Sequence, residues 1–385
     1  MTISPKGVLT IFVGAHVVND FYVTVLPAFL PALADEFGLD YTELGILSLS
    51  FTLLSGVLQP TVGHLADRHG ARRRIVALGF GVGAVGFLLM ASAPTFWWIV
   101  VVSSLCGLGG ATYHPQATSF IVGVYPADRG RMLGIHGWGG SVGHFLAPAV
   151  ITLAVTGVDW RVVMLVIAVP LAVTGLVLHT NLEEVSPNPS ARLLGALTRP
   201  VIMVALAFGL LSMVLRSFLT FAVKMLVDEG WTQSSAGFAL TIVLLVGAVA
   251  QPVGGRIYDR TGGRTVFVGA TIGTIASILL FAVTDGVLAL VAIGGIALFG
   301  FGLFPVSLAM ASNLAADGQT GAAVGLIFGA SGLLSAAAQP VVGALGEVFG
   351  DIRTALAWSV VAAIVALPVA MATSDQRVEV TEVRS

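Results

Sequence analysis

The chain has 385 residues, 56% of them hydrophobic and only 10% charged, with a mean hydropathy of +0.97 and a formal net charge of −2. Soluble domains carry about 25% charged residues, so this composition excludes one and implies a polytopic membrane protein with lipid around it and no nucleic-acid partner. The single cysteine, Cys106, excludes an intramolecular disulfide and any cysteine-built metal cage.

The first apolar run, 8 to 33, reads as a transmembrane helix rather than a cleavable signal: only Lys6 precedes it, and Asp35 and Glu36 close it without a small-residue cleavage site. Inside it lies His16-Val-Val-Asn19-Asp20-Phe-Tyr22. Helical spacing of i, i+3, i+4 puts His16, Asn19 and Asp20 on one face. Of the twenty acids, Asp20 alone falls deep within an apolar run, which makes it a functional candidate.

Eleven further spans follow, at 43 to 66, 75 to 93, 96 to 123, 132 to 156, 161 to 180, 201 to 227, 233 to 257, 265 to 283, 286 to 313, 322 to 347 and 353 to 373. Fourteen of the eighteen Lys and Arg sit at the N-terminus, in the even-numbered loops or in the C-terminal tail, which predicts both termini in the cytoplasm. Arg161 and Arg353 fall on the other side. Arg216 and Lys224 lie within the seventh span, Lys224 being expected to reach toward the outer surface.

Polar and breaker residues peak between spans six and seven, and the two sides are related. Residues 59 to 72 read QPTVGHLADRHGAR and 251 to 264 read QPVGGRIYDRTGGR, an offset of 192 that also superposes Gly137 on Gly329, Gly140 on Gly332, Pro148 on Pro340, Asp159 on Asp351 and Arg161 on Arg353. A constant offset implies a duplicated six-helix unit. The expected architecture is all-α, with twelve transmembrane helices in two pseudo-symmetric six-helix bundles at 1–180 and 201–373. A cytoplasmic linker at 181–200 joins them and a tail follows at 374–385.

Two parallel six-span repeats resemble the plan of the major facilitator superfamily, whose substrate site lies between the halves near the midplane. The loop Gly63-His-Leu-Ala-Asp67-Arg68-His-Gly70-Ala-Arg72-Arg73 is similar to that superfamily's signature between helices two and three, G-x-x-x-D-[RK]-x-G-[RK]-[RK], with Ala71 replacing one basic residue. Gly255, Asp259, Arg260 and Arg264 repeat it. The resemblance implies a matched pair of gating latches at the cytoplasmic surface.

His16 to Asp20, Tyr113-His114-Pro115-Gln116 in span four and Arg216-Ser217 in span seven together resemble the fosmidomycin resistance family of drug exporters. That family carries H-x-x-N-D, [FY]-H-P-E and R-S at the corresponding places. Gln116 stands where the family has Glu, leaving Asp20 as the deep carboxylate. The run Gly134-Ile-His136-Gly137-Trp138-Gly139-Gly140-Ser-Val-Gly143-His144-Phe-Leu-Ala-Pro148 partly resembles the glycine-rich signature of facilitator antiporters, although such a run packs helices in any transporter.

The resemblance implies a proton-coupled exporter, an antiporter of a small anionic or zwitterionic molecule or drug, in a bacterial or archaeal plasma membrane. Asp20, His16 and His114 would carry the proton. Arg216, with Asn19, Tyr22, Tyr113, Gln116, His136 and Trp138, would bind substrate. Counting about 1.5 Å per residue places Asp20 and Arg216 at similar depth, so they are expected to meet across the cavity. A nutrient importer on the same fold and a transport-dead receptor or scaffold are the alternatives. His136 and His144 read as packing and headgroup contacts. A metal site on His16, His114 and His136 lacks local ligand spacing, and none is expected; nor is a cofactor, an oligomer or an enzymatic activity, since neither a Walker loop nor a nucleophile elbow is present.

Overall fold

In the computed structural model the described residues are 3–125, 129–184, 198–314 and 320–373. They are almost wholly helical. The elements are α1 (Pro5–Phe37), α2 (Tyr41–Val57), α3 (Gln59–His69), α4 (Arg72–Ala91), α5 (Phe96–Gly110), α6 (Tyr113–Val124), α7 (Arg129–Gly157), α8 (Trp160–Asn181), α9 (Arg199–Asp228), α10 (Gln233–Thr261), α11 (Gly263–Val283), α12 (Gly286–Leu314), α13 (Thr320–Phe349), α14 (Ile352–Trp358) and α15 (Val360–Met371). Among the described residues twelve spans are long and apolar enough to cross a membrane, three of them broken into the pairs α2/α3, α5/α6 and α14/α15. Two breaks fall just before a proline, Pro60 and Pro115, whose missing N–H is harmless in a first turn. The expected linker and tail lie largely outside the described residues.

The repeat is visible in the backbone. Gly38 and Gly230 take positive φ (64° and 91°), as do Gly70 and Gly262 (65° and 84°), each pair 192 residues apart. Glycine suits those turns because it carries no Cβ. Asp159 and Asp351 accept hydrogen bonds from the N–H groups of Arg161 and Arg353, opening α8 and α14 alike.

The two sets of six spans meet along α2 and α13, α7 and α10, and α1 and α9. Glycine makes the first seam close: a Cβ on Gly56 would sit 2.8 Å from Gly332 Cα, and one on Gly45 would strike the Gln339 carbonyl. Cross-seam polar bonds gather at the end that carries Tyr41. Its N–H donates to Glu347 at 2.9 Å, its hydroxyl to Asp228, and its ring packs on Phe221. Lys224 holds the same Asp228 at 2.5 Å, and Gln233 donates to the Ala28 carbonyl at 3.3 Å. Toward the opposite end, the last such bond among the described residues is Gln251 to Ser141, at 3.3 Å.

Candidate functional site

The site grows from the polar face of α1. His16, Asn19 and Asp20 are each only 6% exposed. A carboxylate at that depth needs partners, and three helices supply them. His16 Nε2 lies 3.2 Å from Asp20 Oδ2, His144 Nε2 of α7 3.5 Å from the same oxygen, and His114 Nε2 of α6 3.8 Å from Oδ1. Asn19 donates to Oδ1 at 2.8 Å. The helices come this close because the glycine run of α7 lies on α1: a Cβ on Gly140 would strike His16 and Asp20, and one on Gly143 or Gly139 would strike the α1 backbone at Val17 or Val13. The packing role of that run is therefore direct.

A second layer orients the imidazoles. His16 Nδ1 faces the His136 carbonyl at 2.7 Å; a carbonyl only accepts, so Nδ1 carries the hydrogen and Nε2 is turned to the carboxylate. His144 Nδ1 lies 2.7 Å from Thr24 Oγ1 and 3.1 Å from the Asp20 carbonyl, so it too is a donor, and its Nε2 also faces the acid. The Tyr113 hydroxyl donates to the Phe12 carbonyl at 2.6 Å, which leaves its oxygen to accept from His136 Nε2 at 2.9 Å. His136 stacks on His16 with centroids 4.1 Å apart.

His144 and Thr24 also line a small cavity between the two sets of spans. Arg216, Gln339, Phe51 and Phe301 form its other walls. Arg216 makes no ion pair or hydrogen bond among the described residues. Contrary to the expectation from their depth, it does not meet Asp20 directly; the acid is held by the three histidines on its own side, and the two charges act on each other only at longer range. A guanidinium left with its donors open to a cavity can take a carboxylate or phosphonate in a two-bond fork.

The remaining candidates are placed as follows. Asn19, Tyr113 and His136 brace the cluster rather than line the cavity. Tyr22 packs edge-on against Phe87, in an apolar recess. Gln116 is buried, with neither amide atom bonded among the described residues. Trp138 is 70% exposed, two residues and so about 200° of helix from the Gly140 face that meets α1, and it does not join the cluster. His144 is the reverse case, an expected packing residue that touches the acid. Thr24 and His144 were findable, since Thr24 is four residues past Asp20 and His144 four past Gly140.

Of the expected latch residues, Gly63 lies against Pro115, Gly70 ends α3, Arg68, Asp259 and Arg260 are exposed, and Gly255 borders open space. Arg72 begins α4, and Arg264 donates to the Thr373 carbonyl at 3.0 Å. Asp67 belongs to α3, and its side chain lies outside the described residues. Near these loops the sets of spans touch through Pro60 against Gly325 and Gly329, whereas the polar ties are at the Tyr41 end. His16, Asp20 and His114 bring one donor atom each to within 4.8 Å of one another, a grouping able to hold a metal ion. His136, part of the set considered from sequence, has its Nε2 on Tyr113 instead.

Comparison with known proteins places this arrangement. The chain is 27% identical over 374 residues to the uncharacterized MFS-type transporter YfnC of Bacillus subtilis (strain 168), covering 91% of this chain and 89% of that protein. It is 25% identical over 279 residues to the fosmidomycin resistance protein of Escherichia coli (strain K12), covering 69% and 68%. Among solved structures, a bacterial homolog of the human lysosomal transporter Spinster, inward-facing and unoccupied, superposes with TM-score 0.79 at 15% identity over 95% of this chain and 96% of that one. A mutant of the nucleoside transporter NupG superposes with TM-score 0.80 at 14% identity over 96% and 100%. The profile of the Major Facilitator Superfamily matches residues 12–318, and the chain belongs to that family of membrane transporters.

Proposed function

We propose that this transporter is an antiporter that exports a small anionic or zwitterionic molecule in exchange for protons. One observation carries the reading: Arg216, a cation without a bonded partner among the described residues, faces a cavity whose opposite wall, His144, rests on the deep carboxylate Asp20. An anion drawn to Arg216 and a proton held among Asp20, His16, His114 and His144 are then coupled through the wall they share. Residues 1–180 and 201–373 act as the two moving bundles, both termini face the cytoplasm, and the Asp67 and Asp259 loops latch that side when the Tyr41 end opens. The relationship to the fosmidomycin resistance protein supports an anionic drug-like cargo.

Two measurements test it. A thermal-shift screen of phosphonates, carboxylates, amino acids and sugars on purified protein should find a ligand that stabilises it, by roughly 2.7 kcal/mol at about 100 times its Kd. Radiolabelled flux of that ligand into inverted vesicles should run uphill under an inside-acid gradient. Uphill uptake under the opposite gradient indicates import, and binding without any flux indicates a receptor. Either outcome ends the exporter reading.

A further inference from the structure

We propose that His16, Asp20 and His114 form a binding site for one divalent transition-metal ion of the zinc, cobalt or nickel type. The donors are two imidazole nitrogens and a carboxylate oxygen, converging from α1 and α6 to within 4.8 Å of one another. Imidazole suits these ions, whereas the hard cations calcium and magnesium require more oxygen ligands than one carboxylate supplies. With bonds of about 2.0–2.1 Å, neighbouring ligands of a tetrahedral ion stand about 3.3 Å apart. His16 Nε2 to Asp20 Oδ2 is 3.2 Å and His114 Nε2 to Asp20 Oδ1 is 3.8 Å, and with the donor atoms spread over as much as 4.8 Å the two imidazoles close in by up to about 1.5 Å to reach one ion. His144 Nε2, 3.5 Å from Oδ2, offers a fourth donor.

The second layer fits the same use. Ligating histidines hold their other ring nitrogen on a carbonyl or similar acceptor, which fixes the tautomer. His16 does this on the His136 carbonyl and His144 on the Asp20 carbonyl and Thr24, while Asn19 fixes the carboxylate. The His114 side chain is 38% exposed, which gives an ion a way in. Arg216 opposes a cation here, so binding rests on the number and aim of the ligands rather than on net charge.

The test is a Co2+ titration of tag-free protein in detergent, read by visible absorption, with no solute and no pH step, so it stands or falls apart from the proposed transport. The wild type should bind one Co2+ per chain with the spectrum of a four-coordinate ion, displaced by Zn2+. His16→Gln and His114→Ala should each weaken binding at least about tenfold, and a combined His64→Gln, His69→Gln, His179→Gln variant should bind as the wild type does. If His16→Gln does not fold, His114→Ala, at the accessible edge, decides alone. Absence of a four-coordinate spectrum, unchanged affinity in His114→Ala, or loss of binding in the combined variant overturns the proposal.

Discussion

The first six spans and the last six place different chemistry at the same points of one repeat. At the separation of 192, His16 and His136 correspond to Phe208 and Phe328. The histidines stack at 4.1 Å, and the phenylalanines meet edge-on at 6.4 Å with Phe304 beside them. Asp20 corresponds to Ser212, His144 to Ala336, and Thr24 to Arg216. At the helix ends the repeat is kept: glycine turns at 38 and 230 and at 70 and 262, and aspartate caps at 159 and 351. Turn geometry constrained both copies alike, while the midplane diverged. One copy carries the acid and its imidazoles, the other an aromatic cluster and the cation. The cation of one copy therefore lines a cavity whose His144 wall rests on the acid of the other only when the copies are together, an arrangement that motion between them can make and break.

The most drastic way to break this asymmetry is to remove the acid. Asp20→Asn keeps the shape and the Asn19 contact but leaves no carboxylate for the histidines. On the proposed mechanism, pH-driven accumulation of the screened ligand in proteoliposomes should fall to background, whereas exchange down the ligand's own gradient should persist because it needs no net protonation. An Asn variant that still concentrates ligand when a pH step is applied would move the coupling site to His16 or His114.

The seam between α1 and α7 is next. A Cβ at Gly143 meets the Val17 carbonyl and the Phe21 N–H, which cannot swing aside as a side chain can. Gly143→Ala should push the helices apart, at a cost of about 1–3 kcal/mol, and loosen the contact of His144 with Asp20. Its repeat counterpart, Ser335, already carries a Cβ, so Ser335→Ala should be nearly silent. Thermal unfolding of both variants in the same detergent checks the contrast; equal losses would mean that the glycine run is not what sets the site.

How much of this was legible beforehand follows from which interactions are local. The i, i+3, i+4 spacing was enough to put His16, Asn19 and Asp20 on one face, and the constant offset was enough to see the repeat. The partners of Asp20 were not local. His144 reaches it only because Gly139, Gly140 and Gly143 bring α7 against α1, and the same rotation of α7 turns Trp138 outward. Counting rise along a helix gave Asp20 and Arg216 comparable depth but carried no information on their lateral separation, and so their expected direct pairing did not appear. Gln116, read as a family position that had lost its charge, is fully buried, and its burial was not legible from the motif.

Arg216→Lys sharpens the other side of the comparison. The change keeps the positive charge and removes the planar fork, so it tests whether the second copy contributes recognition or charge alone. Affinity for an anionic ligand should fall about tenfold, equivalent to about 1.4 kcal/mol, as measured by ligand-induced thermal shift over a concentration series. Equal affinity in the Lys variant would reduce Arg216 to a counter-charge for Asp20.

The smallest effect lies where the copies look most alike. Asp159 and Asp351 both cap a helix, but Asp351 also accepts from the Thr354 N–H at 2.9 Å and its hydroxyl at 2.8 Å, while the first copy has Val162 at that position. Burial raises the affinity of Asp351 for a proton, yet the hydrogen bonds from Thr354 and Arg353 and the nearby Arg353 charge outweigh it, holding the carboxyl below its ordinary 3.8. A depressed folded value stabilises the fold above the unfolded carboxyl's range, and that contribution is lost as pH falls through the folded value. Asp351→Ala should thus cost about 1 kcal/mol near neutral pH and more than Asp159→Ala, and the gap between wild type and Asp351→Ala should narrow as thermal unfolding is repeated from pH 6 down to about pH 3, within the range where carboxyls titrate. A gap that stays constant over that range would show that the cap acts through its shape and not through its charge.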